Sequence, residues 1–213
     1  EIQDISETAA TFVVKPLEPG YGNTLGNSLR RVLLSSINGA AIVAFKIEGV
    51  SHEFTTVDGV KEDVVDIMLN LKNIKFKAHT DEPVELRLEK SGAGVITAAD
   101  IEANADMEVV NPDQIIATID DDKTKVVMNF VVESGHGYKT IESASEDRLH
   151  SDMIALDAIF SPVLRVRYKV DNTRVGQNSN LDRLDITVET DGSITPREAF
   201  EQAAAILVNQ YSA

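Results

Sequence analysis

Residues 184–211 read LDITVETDGSITPREAFEQAAAILVNQY, and their periodicity changes halfway along. Leu184, Ile186 and Val188 alternate with Asp185, Thr187 and Glu189, the period-two pattern of a strand with one buried face. After Asp191-Gly192, Thr195 can cap a helix, Pro196 suits its first position, and Glu198 completes a capping box. Phe200, Ala203, Ala204, Leu207, Val208 and Tyr211 then form an apolar stripe along that terminal helix. Just upstream, Val163–Val170 is a second strand, with Leu164, Val166, Tyr168 and Val170 opposed to Arg165, Arg167 and Lys169. The other end of the chain has the same two ingredients. Thr8–Leu17 is apolar and β-branched, and Pro16 and Pro19 place it near a sheet edge. Thr24–Ile37 carries Leu25, Leu29, Val32, Leu33 and Ile37 at helical spacing and closes on Asn38-Gly39.

Between the two ends the pattern is mostly strand. Ala40–Glu48 is a strand, and Asp58–Leu71 is predicted helical, with Val60, Val64, Ile67, Met68 and Leu71 on one face. From Lys72 to Gly137 short strands follow one another, among them Val84–Leu88 and Lys125–Val132, with Asp120–Asp122 at a hairpin tip and Gly135–Asp147 as polar loop. The expected fold is α+β. A discontinuous domain from residues 1–48 and 163–213 sets two long helices on an antiparallel sheet, and a mainly β domain, 49–162, is inserted into it. The stripe of the last helix must be covered, either by its own sheet or across a dimer interface shared with the first helix.

Composition narrows the chemistry. Lys and Arg number 20 against 35 Asp and Glu, a net charge of −15, which argues against a broad electrostatic grip on DNA or RNA. The absence of cysteine excludes disulfides, thiolate catalysis and cysteine-ligated metals. The apolar runs Ala40–Phe45 and Ala203–Val208 are too short to span a bilayer, and the opening EIQDISETAA has no signal-peptide pattern, so a cytoplasmic location off the membrane is expected. His52, His79, His136 and His150 have no metal-binding spacing, and Asp120–Asp122 reads as a solvated turn. Ser35-Ser36 and Ser91-Gly92 do not sit in a nucleophile elbow. No catalytic residue, metal or cofactor is expected.

Two features invite sharper readings. Gly20, Gly22 and Gly26, followed by a helix, a strand and Glu48, mimic a dinucleotide-binding turn, so the alternative function is a small nucleotide-binding enzyme. Pro16 and Pro19 in the first strand, and the lack of alternating strand–helix units later, weigh against it. Arg30 and Arg31 lie in a helix without a single acid, inside an acidic chain. They read either as a solvated or internally paired couple, or as interface arginines suited to bidentate pairing.

Several segments, in order, carry a resemblance: Glu18–Ser36 (EPGYGNTLGNSLRRVLLSS), Gly49–Asp63 (GVSHEFTTVDGVKED), Ile67–Lys72 (IMLNLK), Lys90–Asp100 (KSGAGVITAAD), Leu156–Val163 (LDAIFSPV) and Arg174–Ala199. Together they are similar to the amino-terminal domain of the bacterial RNA polymerase alpha subunit family. The resemblance implies a discontinuous dimerisation domain with an inserted β domain. It also implies a non-catalytic assembly subunit of a nucleotidyltransferase complex, cytoplasmic and associated with the nucleoid. Such a subunit homodimerises and receives the β and β′ subunits, with omega and sigma in the complete enzyme. By matched position, the β contact would involve Arg31 with Thr24, Gly26, Asn27, Arg30, Leu34, His52, Glu53, Glu62 and Asp63. The β′ contact would involve Lys72, Leu156, Asp157, Val163 and Arg183. The dimer core would hold Leu25, Leu29, Leu33, Phe200, Ala203, Leu207 and Tyr211. The family's linker and DNA-binding carboxy-terminal domain have no counterpart among these residues, so direct DNA binding is not expected of them. The loop Gly137–Met153 matches poorly, and no activator contact is inferred there.

Overall fold

The computed structural model describes residues 1–142 and 152–213, so part of the loop expected over 137–153 lies outside the described residues. The chain begins with β1 (Ile2–Asp4), β2 (Ala9–Leu17) and α1 (Tyr21–Ser35). The middle runs β3 (Gly39–Ile47), α2 (Val64–Lys72), β4 (Phe76–Ala78), β5 (Val84–Ser91), β6 (Gly94–Thr97), β7 (Met107–Val109), β8 (Ile115–Ile119) and β9 (Lys125–Gly135). It closes with β10 (Tyr138–Lys139), β11 (Ile154–Ala155) and β12 (Ala158–Ile159), and the chain ends with β13 (Val163–Val175), β14 (Asn178–Thr190) and α3 (Pro196–Tyr211). Strands dominate and helices are few.

Two compact units divide these elements: Glu1–Asn38 with Ser161–Ala213, and Gly39–Phe160. In the first, β1-β2-β14-β13 form an antiparallel sheet. Alternation explains its faces. Ala10 and Phe12 of β2, Leu184, Ile186 and Val188 of β14, and Val166 of β13 turn toward the helices, where they form one core with Leu29, Val32, Leu33, Ala199, Ala203 and Leu207. Phe12 and Phe200 stack at 4.3 Å between ring centres, 6° from parallel. The proline-bearing β2 is not the outermost strand, because β1 pairs with it over Ala10–Phe12. Pro16 is tolerated because that pairing stops short of it and the ladder to β14 is irregular between Asp182 and Leu184. At α3, the Thr195 hydroxyl accepts the Glu198 N–H at 3.1 Å, the hydroxyl half of the expected capping box.

In the second unit β5-β9-β3-β4-β7 form a sheet to which β11 adds on β3, and β6 pairs with β8. The strand β3 belongs here, which corrects the expectation that residues 39–48 go with the chain ends. It pairs with β9 along its length. Both of its faces are buried, Ile42, Phe45 and Ile47 in one core and Ala41 and Val43 in another. An irregularity between Ile42 and Ala44 shifts its phase, which is why Ala40–Phe45 is continuously apolar rather than alternating.

The second helix also starts later than its apolar pattern predicts, at Val64 instead of Asp58. Gly59 has φ +75°, and a Cβ there would lie 2.0 Å from the Thr124 hydroxyl oxygen. Val60 bridges to Ile119, so it serves a short ladder rather than the helical stripe.

Candidate protein-protein interface

The glycines of residues 20–26 serve packing. A Cβ on Gly22 would lie 2.7 Å from Val170 Cγ1, and one on Gly26 would lie 2.6 Å from the Tyr168 ring. Four residues apart, they let one face of α1 settle directly on β13. The amide groups at the start of this helix are also taken. Asp182 Oδ2 accepts the N–H of Gly20 and that of Gly22, both at 3.0 Å. No acid lies in the first turn of α1, so a carboxylate from β14 supplies the negative charge that a helix N-terminus favours. A nucleotide phosphate would need that same place. The dinucleotide alternative therefore gives way to a structural turn.

Packed against the sheet, α1 and α3 leave an apolar groove of about 530 Å³, lined by Val14, Leu25, Leu29, Phe200, Ala204, Leu207, Val208, Tyr211 and Ser212. Of the residues matched to a dimer core, Leu25, Leu29, Phe200, Leu207 and Tyr211 are brought together here. Leu33 and Ala203, both 0% exposed, belong instead to the interior beneath it. Val208 and Tyr211 stand well out of the surface, 63% and 77% exposed.

The outward face of α1 is polar and cationic. Thr24, Asn27, Arg31 and Leu34 fall on one side at helical spacing, the first three exposed and Leu34 half-buried. Arg30 and Arg31 are both exposed, and neither has an ion-pair or side-chain hydrogen-bond partner among the described residues. Gly26 is buried and contributes no surface of its own.

In the second unit the acids matched to the β contact are largely engaged. The Glu62 carboxylate accepts the Thr118 N–H at 2.7 Å and the Thr118 hydroxyl at 3.0 Å. Asp63 caps α2 by accepting the Asp66 N–H at 2.8 Å. His52 is exposed, with Nδ1 accepting the Phe54 N–H at 3.2 Å, and Glu53 is half-buried. Among the β′ candidates, Lys72 and Asp157 meet as an ion pair at 3.8 Å. Leu156 and Val163 are core side chains, 0% and 4% exposed. Val163 pairs with Thr190 and Arg183 with Asp171, so these two stand at opposite ends of one hairpin, roughly 25 Å apart at ~3.3 Å per residue. Arg183 donates to Asp185 at 2.9 Å, and that bond and the charge beside it raise the guanidinium pKa further. No group of three or more His, Asp or Glu side chains among the described residues is arranged to hold a metal ion.

Residues 43–161 match the model of the RNA polymerase Rpb3/RpoA insert domain. The chain belongs to that family. It is 50% identical over 212 residues to the DNA-directed RNA polymerase subunit alpha of Roseiflexus sp. (strain RS-1), covering 100% of this chain and 65% of that protein. It is 52% identical over 204 residues to the protein of the same name from Heliobacterium modesticaldum (strain ATCC 51547 / Ice1), covering 96% and 64%. It is 49% identical over 208 residues to that of Moorella thermoacetica (strain ATCC 39073 / JCM 9320), covering 98% and 66%. The chain thus spans just under two thirds of the length of these curated relatives.

Within the stretch matched to the family, two aromatic side chains are exposed: Phe54, inside the His52–Asp63 stretch that the resemblance assigns to the β contact, and Tyr138, which the sequence reading did not single out. Phe54 is 81% exposed at the start of the loop before α2. It is the single aromatic of the His52–Asp63 stretch. Tyr138, 58% exposed, hydrogen-bonds Asp157, which raises its phenol pKa. Asp157 also accepts the Ile141 N–H at 2.9 Å, so this carboxylate joins Lys72, Tyr138 and the backbone at one point. Nothing in the local pattern around Leu156-Asp157 announces that convergence.

Proposed function

We propose that the chain is the non-catalytic assembly platform of a DNA-directed RNA polymerase, homodimeric through the groove between α1 and α3. The observation that supports this reading is the groove itself. It is walled almost wholly by carbon, and Val208 and Tyr211 project beside it with nothing to cover them in one protomer. A two-fold pairing would let each copy's projecting side chains fill the other's groove, the self-complementary arrangement of an isologous dimer.

On that dimer, the Arg31 face of α1 and the loop from His52 to Asp63 would receive the β subunit. Lys72 and Asp157 on the second unit, over the buried Leu156, and Arg183 on the first, whose Val163 is also buried, would supply half-buried charge toward β′. The complete enzyme would add omega and sigma, and the catalytic chemistry would belong to the large subunits.

Sedimentation velocity at micromolar concentration tests the dimer. A dimer is expected, Val208→Asp should give monomers by burying a charge in the groove, and a monomeric wild type would overturn the proposal. Arg31→Ala should leave the dimer intact and weaken capture of β. Undiminished capture removes Arg31 from that contact.

A further inference from the structure

We infer that Asp185 is a positioning residue: it fixes the Arg183 guanidinium so that its terminal amino groups meet a partner carboxylate as a ready-made fork. The inference rests on the place toward β′ proposed above for Arg183, and it adds a residue outside the set matched to that contact. Asp185 is 8% exposed, the one buried ionisable side chain among the described residues. Leu184 and Ile186 turn into the core beneath the helices, so Arg183 and Asp185 share the opposite face of β14. There the Arg183 Nε donates to Asp185 Oδ1 at 2.9 Å.

Stability alone does not account for a carboxylate at this position. Desolvating it is costly, and a buried ion pair returns little net stabilisation. Thr187, two residues along the same face, shows an uncharged solution, since its hydroxyl meets that of Thr11 at 2.8 Å. What the Asp185 carboxylate adds is orientation of a cation.

The surroundings leave that cation open. Asp171, the residue opposite Arg183 across the hairpin, lies 3.7 Å from Lys169 Nζ, which is also 3.8 Å from Asp185. Lys169 thus answers both acids from the β13 side. The terminal amino groups of Arg183 make no hydrogen bond among the described residues, and its side chain is 33% exposed. With Nε held, the two amino groups form the end of a planar fork, which a carboxylate meets bidentately and an ammonium cannot reproduce. A side chain already restricted in its rotamers gives up little freedom when the partner binds.

The test titrates β′ into the purified chain, alone and with β present. Arg183→Ala is expected to weaken uptake of β′ about 30-fold, and Asp185→Ala about fivefold. Asp185→Asn keeps an oxygen acceptor for Nε and should fall between Asp185→Ala and wild type. Added to Arg183→Ala or to Arg183→Lys, Asp185→Ala should cost nothing further, because no Nε fork remains to be held. Capture of β should be the same for every variant. If Asp185→Ala weakens uptake less than twofold while Arg183→Ala weakens it strongly, the positioning role is overturned and the Arg183 contact stands. If Asp185→Ala costs as much without Arg183 as with it, the carboxylate supports the sheet and the inference is wrong. If Arg183→Ala has no effect, the inference falls together with the place of Arg183, and if wild type takes up no β′ the assembly reading falls with them.

Discussion

Asp182→Ala is a searching test of how α1 is held. The carboxylate receives two backbone N–H groups at 3.0 Å, from Gly20 and Gly22, across 160 and more residues of sequence. Hydrogen bonds to a charged group contribute about 1.5–3 kcal/mol each when well shielded. Asp182 is half-buried and the Gly20 bond is exposed, so the low end applies, and removal of a helix cap costs about 0.5–2 kcal/mol. We expect a loss near 2 kcal/mol. For a chain of 213 residues, at about 2–4 °C per kcal/mol, this is a drop in Tm of roughly 4–8 °C by differential scanning calorimetry. Asp182→Asn keeps an oxygen acceptor without the charge and should fall between the two. Inorganic phosphate offers a further control. It should raise the Tm of Asp182→Ala by occupying the vacated amides, and it should leave wild type unchanged. A variant that melts within about 1 °C of wild type would refute the reasoning, since a cap worth less than ~0.5 kcal/mol would hold nothing.

Gly26→Ala places a methyl where the Tyr168 ring already sits at 2.6 Å. It should destabilise by about 1–3 kcal/mol through overpacking, read from urea unfolding, and an unchanged midpoint would refute the close-approach role. The Asp121 carboxyl is held below the usual carboxylate range, first by the Thr124 hydroxyl and then by the N–H groups of Lys123 and Thr124. A depressed folded pKa gives stability that is complete above the unfolded value and is lost as pH falls through the folded one. Asp121→Asn should therefore flatten the acid limb of a Tm-against-pH curve below the usual carboxylate range and leave its shape near neutrality unchanged.

Much of the chain-end unit was legible because its signals are local. Thr195, Pro196 and the stripe through Leu207 mark α3, and the alternation of Leu184, Ile186 and Val188 marks the buried face of β14, although the strand itself begins earlier, at Asn178. Other features depend on long-range partners. A strand carries no label for the sheet it will join, so β3 could be found but not assigned. Val60 has the right spacing for the stripe of α2, yet Gly59 at positive φ and the bridge to Ile119 draw it into a ladder. Among the candidate site residues, the apolar stripes of α1 and α3 show helical spacing, while their interface roles, and the places of Thr24, Gly26, Asn27 and Leu34, are what the resemblance implies. The internal use of Glu62 and the link from Asp182 to Gly20 and Gly22 could not be read from the sequence, because both join residues far apart in it.

The division of the chain also sets a timetable for synthesis. The strand β2 is complete by residue 17, yet its ladder partner β14 lies at 178–190 and α3 later still. At about 5–20 residues per second, the first helix and strand wait on the order of ten seconds for their sheet while the inserted unit can already fold behind them. A nascent chain arrested anywhere before α3 therefore carries α1 without the other wall of its groove. If the groove is where two copies meet, as proposed, such a chain lacks half of the surface that pairing would need.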